Sequence, residues 1–182
     1  MKKAAIIVAP GFEEGETLTI VDIIRRANIT CDLIGLKEVV EGGHGIIIRC
    51  DKVLNHALVE YDMVILPGGY GGADKMKNSE TLISFLKEMD EKGKYICAMC
   101  AAPIVLEKAK VISGKKVTGY TGYQDKLVSG DFVNEVAVFD QNIVTSQGPA
   151  TPYPFAFKIL EVFGKDTTEM KERLMYNFAG GK

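Results

Sequence analysis

Three apolar runs constrain this chain more than anything else in it: KAAIIVA at 3–9, DMVIL at 62–66 and KYICAM at 94–99. Each is nearly continuous and rich in β-branched residues, the pattern of a strand buried on both faces. Such strands need helices above and below them, and the intervening segments supply these. After Glu13, the residues Leu18, Val21, Ile24 and Ala27 recur at helical spacing, with glutamates at the start and Arg25 and Arg26 at the end to suit the helix dipole. Residues 80–91 (ETLISFLKEMDE) are amphipathic and end at Gly93, and 101–108 read as a short helix. Further strand-like segments are Thr30–Leu36, Ile46–Ile48, Lys116–Thr118, Glu135–Phe139 and Asn142–Thr145, and a helical region closes the chain from about Phe155 to Phe178. Strands alternating with helices predict right-handed βαβ units, hence an α/β fold around a mostly parallel sheet.

Ligands of such sheets sit beyond the carboxyl ends of the strands. There the stretches PGFEEGE (10–16), PGGYGGA (67–73) and CAAP (100–103) should meet on one rim. The length of 182 residues suits one domain, 1–182, with a single core. A net charge of −2 without a basic stripe gives a nucleic-acid or anionic-membrane partner no electrostatic footprint. The apolar start of MKKAAIIVAPGFEEGE meets Pro10-Gly11 and three glutamates too soon for a signal-peptide core or a membrane span. A cytoplasmic location is therefore expected, with Cys31, Cys50, Cys97 and Cys100 as free thiols.

Cys97 and Cys100 have the CxxC spacing of redox pairs, but YICAM has strand composition. Extended backbone at about 3.3 Å per residue puts the two Cα atoms roughly 10 Å apart, beyond the ~7 Å reach of a disulfide. A zinc site lacks a second closely spaced ligand pair, since His44, His56 and the other cysteines are scattered. Cys97 therefore reads as a small core residue. Cys100 falls where the strand must break into a helix, the layout of a nucleophile elbow, where free N–H groups should lower its pKa and favour the thiolate. From this stretch alone an inert buried thiol is an equal reading. Pro67-Gly68-Gly69 adds backbone N–H groups able to approach an oxyanion at Cys100. Of Glu13, Glu14 and Glu16, two are explained by the helix dipole and solvation. A third turned inward beside the cysteine would have a raised pKa and could hold a proton at neutral pH.

APGFEEGE, VILPGGYGGA, ICAMCAAP, KVTGYTGYQDKL and VTSQGPATPYPFAFKIL, in this order and at these separations, resemble the ThiJ/PfpI family and specifically its DJ-one branch. The resemblance covers essentially the whole chain. It implies a flavodoxin-like three-layer α/β/α sandwich, usually a homodimer, with a reactive elbow cysteine at Cys100 and a protonated glutamate at Glu16. It places backbone oxyanion contacts at Gly68, Gly69 and Ala101. It further implies a glyoxalase working without cofactor or metal, or a deglycase, acting on methylglyoxal, glyoxal or glycated amino groups. The alternative in the same family is an oxidative-stress sensor or chaperone-like protein whose cysteine becomes a sulfinate. A cysteine peptidase or amidotransferase-like hydrolase would want an imidazole beside the thiol, where Ala101 stands. The sequence departs from the family in two places: Tyr120 stands where many members carry a histidine, and His44 replaces a dimer-interface arginine. Arg26 matches an arginine of that junction, so Tyr120 and Arg26 are the auxiliary candidates.

Overall fold

The computed structural model describes residues 2–55 and 60–180. In chain order the elements are β1 (Lys3–Val8), α1 (Glu14–Arg26), β2 (Thr30–Gly35), β3 (Val39–Glu41), β4 (Ile47–Arg49), β5 (Lys52–Val53), β6 (Met63–Leu66), α2 (Tyr70–Lys77), α3 (Glu80–Glu91), β7 (Tyr95–Met99), α4 (Pro103–Ala109), β8 (Lys116–Val117), β9 (Asp131–Phe132), β10 (Ala137–Asp140), β11 (Ile143–Ser146), α5 (Pro152–Val162) and α6 (Thr168–Arg173). Seven strands form the central sheet in the order β10-β11-β7-β6-β1-β2-β5. Among the described residues of this sheet, only the β10–β11 pair is antiparallel. β1 pairs with β2 on one side and β6 on the other, so the chain reverses its direction of travel across the sheet at this point, and the loops after β1 and β6 open a crevice there.

Ala4 to Val8 are all fully buried, as a doubly covered strand requires. Their side chains alternate between two cores with period two. Ile6, Ile65 and Cys97 face Ile20, Ile24, Phe155 and Ile159 of α1 and α5. Ile7, Leu66 and Ile96 face Met76, Leu82, Leu86 and Leu106 of α2, α3 and α4. The result is the α/β/α sandwich expected from the resemblance.

Three expectations need correction, and one is completed. The closing helical region is two helices, because Gly164 takes φ +81 and turns the chain between α5 and α6. The helix after Cys100 starts at Pro103, whose fixed φ and missing N–H suit the first helical turn. The strand-like run at 46–48 falls on β4, which pairs with β3 in a hairpin outside the main sheet. PGGYGGA contains a helix, α2, which Gly71 and Gly72 hide from a propensity reading. Gly72 serves close packing: its N–H donates to the Gly11 carbonyl at 3.1 Å, and a Cβ there would stand 3.1 Å from the Phe12 backbone.

Candidate active site

The three glutamates of PGFEEGE divide the work at the start of α1. Glu13 is the N-cap and accepts the Glu16 N–H, the ordinary use of an acidic side chain at that position. Glu14 turns sideways to His44, accepting its backbone N–H at 2.6 Å and meeting its Nδ1 at 2.9 Å. Burial alone would raise the Glu14 pKa, but the hydrogen bonds from His44 outweigh it and hold the carboxylate below its ordinary value. Glu13, Glu14 and His44 bring possible ligand atoms within 4.8 Å of one another, yet each is already committed to the cap or to this pair.

Glu16 turns inward and is fully buried. Its Oε2 accepts the Gly68 N–H at 2.7 Å, while Oε1 is buried without a partner among the described residues. The carboxyl lies against the Cys100 thiol, close enough for each to perturb the other. Burial first, then the nearby charge of Glu13, pushes Glu16 up to about 7.

Cys100 follows the last residue of β7 with φ +58, a left-handed conformation that costs a non-glycine residue about 1 kcal/mol. Two backbone bonds hold it there: its N–H donates to Ser146 O at 3.0 Å, and its carbonyl accepts the Tyr120 N–H at 2.8 Å. The backbone N–H groups of Gly69 and Ala101 point at the sulfur and favour its anion. Against them, burial and then the negative charge of Glu16 push the thiol up to about 12. The expectation of a thiolate stabilised by the following helix is thus overturned for the resting site. A buried carboxylate beside a buried sulfur disfavours a second negative charge, so near neutral pH the pair carries at most one negative charge, on Glu16. When the proton is on Glu16, the charge opposing the thiolate is gone and the two amides act unopposed.

Gly68 was expected to supply an oxyanion contact, and here the geometry differs. Its N–H is spent on Glu16, which leaves Gly69 and Ala101 as the amides at the sulfur. Gly68 is needed for its lack of a side chain: a Cβ there would lie 2.5 Å from Cys100 Cβ and 2.6 Å from Glu16 Oε2. Gly68→Ala is expected to lose about 1–3 kcal/mol of stability through overpacking and to slow alkylation of Cys100 by iodoacetamide. Urea unfolding and thiol labelling check both, and a fully stable, normally reactive variant would contradict the packing.

Tyr120 lies at the mouth of the site, its ring 5.8 Å from Tyr70 and 6.0 Å from Tyr123, edge-on to both. A Cβ on Gly148 would be 3.3 Å from the Tyr120 ring, so that wall is closed too. Tyr70 and Tyr123 were not singled out from sequence; the signal available was three tyrosines in glycine-bearing rim loops. Arg26 does not join the site. It ends α1, ten residues after Glu16 or about 15 Å along the helix, and pairs with Asp22 at 2.7 Å on the surface. His56 lies outside the described residues.

A doubly wound α/β sandwich with a strained cysteine at a strand-to-helix elbow and a buried carboxyl against its sulfur defines an elbow-cysteine protein of the flavodoxin-like class. The chain belongs to the DJ-1/PfpI family, whose model matches residues 2–162. It is 39% identical over 174 residues to Protein dj-1beta of Drosophila melanogaster, covering 92% of this chain and 93% of that one. The crystal structure of Drosophila DJ-1beta superposes with a TM-score of 0.91 over 96% of this chain and 98% of that chain. The Parkinson disease protein 7 homolog of Danio rerio is 38% identical, with 88% of each chain covered. A more distant relative, the putative cysteine protease YraA of Bacillus subtilis (strain 168), is 30% identical over 81% of this chain and 90% of its own. No helix among the described residues is long and apolar enough to cross a membrane.

Proposed function

We propose that the chain is a glyoxalase or deglycase that converts methylglyoxal, glyoxal or their early adducts on amino groups through Cys100, with Glu16 as the proton carrier. The observation that carries this reading is the buried Glu16 carboxyl against the Cys100 sulfur, raised to about 7, where it can both give and take a proton at neutral pH. The thiol proton passes to Glu16 and the sulfur adds to the aldehyde carbon. The developing oxyanion sits on the Gly69 and Ala101 amides and then takes the proton from Glu16. Glu16, now a carboxylate, removes the hydrogen of the former aldehyde carbon and returns it to the neighbouring carbon, while the proton of the first hydroxyl passes to the second oxygen, which leaves a 2-hydroxyacyl thioester. Water attacks the thioester and the sulfur departs, so methylglyoxal plus one water becomes lactate with no outside oxidant. At an amine adduct the sulfur displaces the amine, whose C–N bond breaks as it leaves with a proton from Glu16, and the same hemithioacetal follows the course above. Lactate formation from methylglyoxal by the purified protein, with Cys100→Ala as the control, tests the reading.

We take the working unit as a cytoplasmic homodimer. The exposed apolar side chains of Leu18, Ile46 and Ile47 support a second copy as partner, and sedimentation of the purified protein tests this. A peptidase mechanism finds less support: His44 is held by Glu14, and Ala101 follows the cysteine.

One observation favours a second reading, that of a peroxide sensor. Cys100 has amide donors at its sulfur, whereas Cys97 points from the strand into the core, fully buried and with its pKa pushed well up by burial. A sulfenate at Cys100 would have no resolving thiol in reach and would be oxidised once more, two peroxides giving one sulfinate and two waters. Mild peroxide is expected to add two oxygens to the Cys100 peptide before any change at Cys31, Cys50 or Cys97. Peptide mass spectrometry reads this directly, and a Cys97–Cys100 disulfide as the main product would refute it.

A further inference from the structure

Thr151 stands at the N-cap of α5 without capping it. A side chain there normally serves the N–H groups of the second and third helical residues. The third is Pro154, which has no N–H to offer, and Pro152 already opens the helix. The Thr151 hydroxyl is turned backwards instead, onto the loop that leaves β11. It accepts the Gly148 N–H at 3.0 Å and meets the Ser146 hydroxyl at 2.8 Å. Ser146, fully buried, spends its own proton on the Val136 carbonyl at 2.6 Å. The Gly148 carbonyl, 2.9 Å from the Thr151 hydroxyl, already takes the Thr151 N–H at 2.8 Å, so the hydroxyl proton of Thr151 serves Ser146. β10 begins its pairing at Ala137, opposite Ser146, and these side-chain bonds carry the attachment past that rung.

Both backbone bonds that hold Cys100 at φ +58 lead to this loop. The Cys100 N–H donates to Ser146 O at 3.0 Å, just past the last paired residues of β7 and β11, Met99 and Ser146. The Cys100 carbonyl takes the Tyr120 N–H, and the Tyr120 ring lies against Gly148, where a Cβ would stand 3.3 Å from it. We propose that Thr151 is a positioning residue for the nucleophile: its hydroxyl locks the 146–151 turn, and that turn keeps Cys100 in its left-handed conformation at the end of β7. Without such a brace a non-glycine residue relaxes out of this region, and a displacement of about 1 Å near the reacting atoms can cost about a hundredfold in rate. What the brace does for turnover rests on the reading of Cys100 as the nucleophile; what it does for the backbone stands without that reading.

The test compares Thr151→Val, which keeps the shape and removes the hydroxyl, with Thr151→Ser, which keeps the hydroxyl. Thr167→Val is the control: Thr167 is also buried, and its hydroxyl donates to Glu161 Oε1 at 3.0 Å, away from the elbow. Amide hydrogen exchange, followed by NMR, reads the Cys100 N–H against the Ile96 N–H, which donates to Asn142 O near the other end of β7. Thr151→Val is expected to speed exchange at Cys100 about tenfold, the weight of a lost neutral hydrogen bond, with Ile96 changing less than about twofold. In the lactate assay its kcat should fall about tenfold with KM within about twofold, as for a loss of alignment rather than of binding. Thr151→Ser should restore both values to within about twofold of the native protein, and Thr167→Val should alter neither. Equal acceleration at Cys100 and Ile96, no change in Thr151→Val, no rescue by serine, or the same pattern in Thr167→Val would overturn the assignment. Failure of the native protein to form lactate would instead count against the nucleophile reading, and amide exchange would still decide the brace.

Discussion

Cys100→Ala is expected to lower lactate formation from methylglyoxal by at least about a thousandfold while leaving the fold intact, because every covalent step of the proposed reaction runs through that sulfur. The backbone bonds at residue 100, from its N–H to Ser146 O and from Tyr120 N–H to its carbonyl, do not involve the side chain and will survive. The left-handed φ of +58 is as strained for alanine as for cysteine, so the change brings no relief of backbone strain to confuse the comparison. Cys97→Ala is the matched control: it removes a fully buried thiol on β7 and should reduce stability far more than turnover. Lactate assays and urea unfolding on both variants separate the two effects. Retention of full activity by Cys100→Ala would remove the basis for any covalent mechanism at the elbow.

Glu16→Gln is expected to reduce turnover about 10²- to 10⁴-fold, the usual contribution of a positioned proton carrier, and at the same time to make the protein more stable above neutral pH. The sign follows from the raised pKa of about 7 against an ordinary value of 4.5. Below 4.5 both the folded and unfolded chains carry the proton. Between 4.5 and about 7 the folded chain keeps a proton that the unfolded chain has released, so stability falls as pH rises through this window. The whole interval corresponds to about 3 kcal/mol. Glutamine does not titrate, and its carbonyl can still accept the Gly68 N–H. Unfolding free energies at pH 5 and pH 8 should therefore converge for the variant and separate for the native chain. Parallel behaviour of the two proteins would mean that Glu16 is not held protonated by its surroundings. Together the two variants describe a site that gives up stability to keep a reactive pair out of water.

The strands β1, β6 and β7 were legible because a doubly buried strand leaves an unbroken apolar record in the sequence. Glu16 was legible only as one of three carboxylates until the resemblance picked it out; the reason it turns inward is that Glu13 caps the helix and Glu14 is drawn to His44. What sequence could not convey is which partner each group finds across the fold. Gly68 looked like an oxyanion donor because of its place in PGG, but its N–H meets a carboxyl from another loop. The protonation of Cys100 likewise depends on Glu16 more than on the helix that follows it. Helix α2 was hidden because glycine propensity argues locally, whereas Gly72 is required by a backbone packed against it. Arg26 matched by motif and is set apart by the length of α1 alone.

That glycine contact also bears on how the site could be re-engineered. A Cβ on Gly69 would meet Gly11 O at 2.4 Å, one on Gly11 would meet Gly71 at 3.0 Å, and the Glu13 N–H donates to Gly68 O. The loops carrying Glu16 and Gly69 are therefore joined main chain to main chain, without side chains between them that selection could resize. A library randomising residues 10–13 or 68–72 should yield mostly unfolded clones. The segment around Tyr120 and Tyr123 touches the same cysteine through side chains and a single backbone bond, so new substrate preferences should be recruited there, leaving the acid–thiol pair undisturbed.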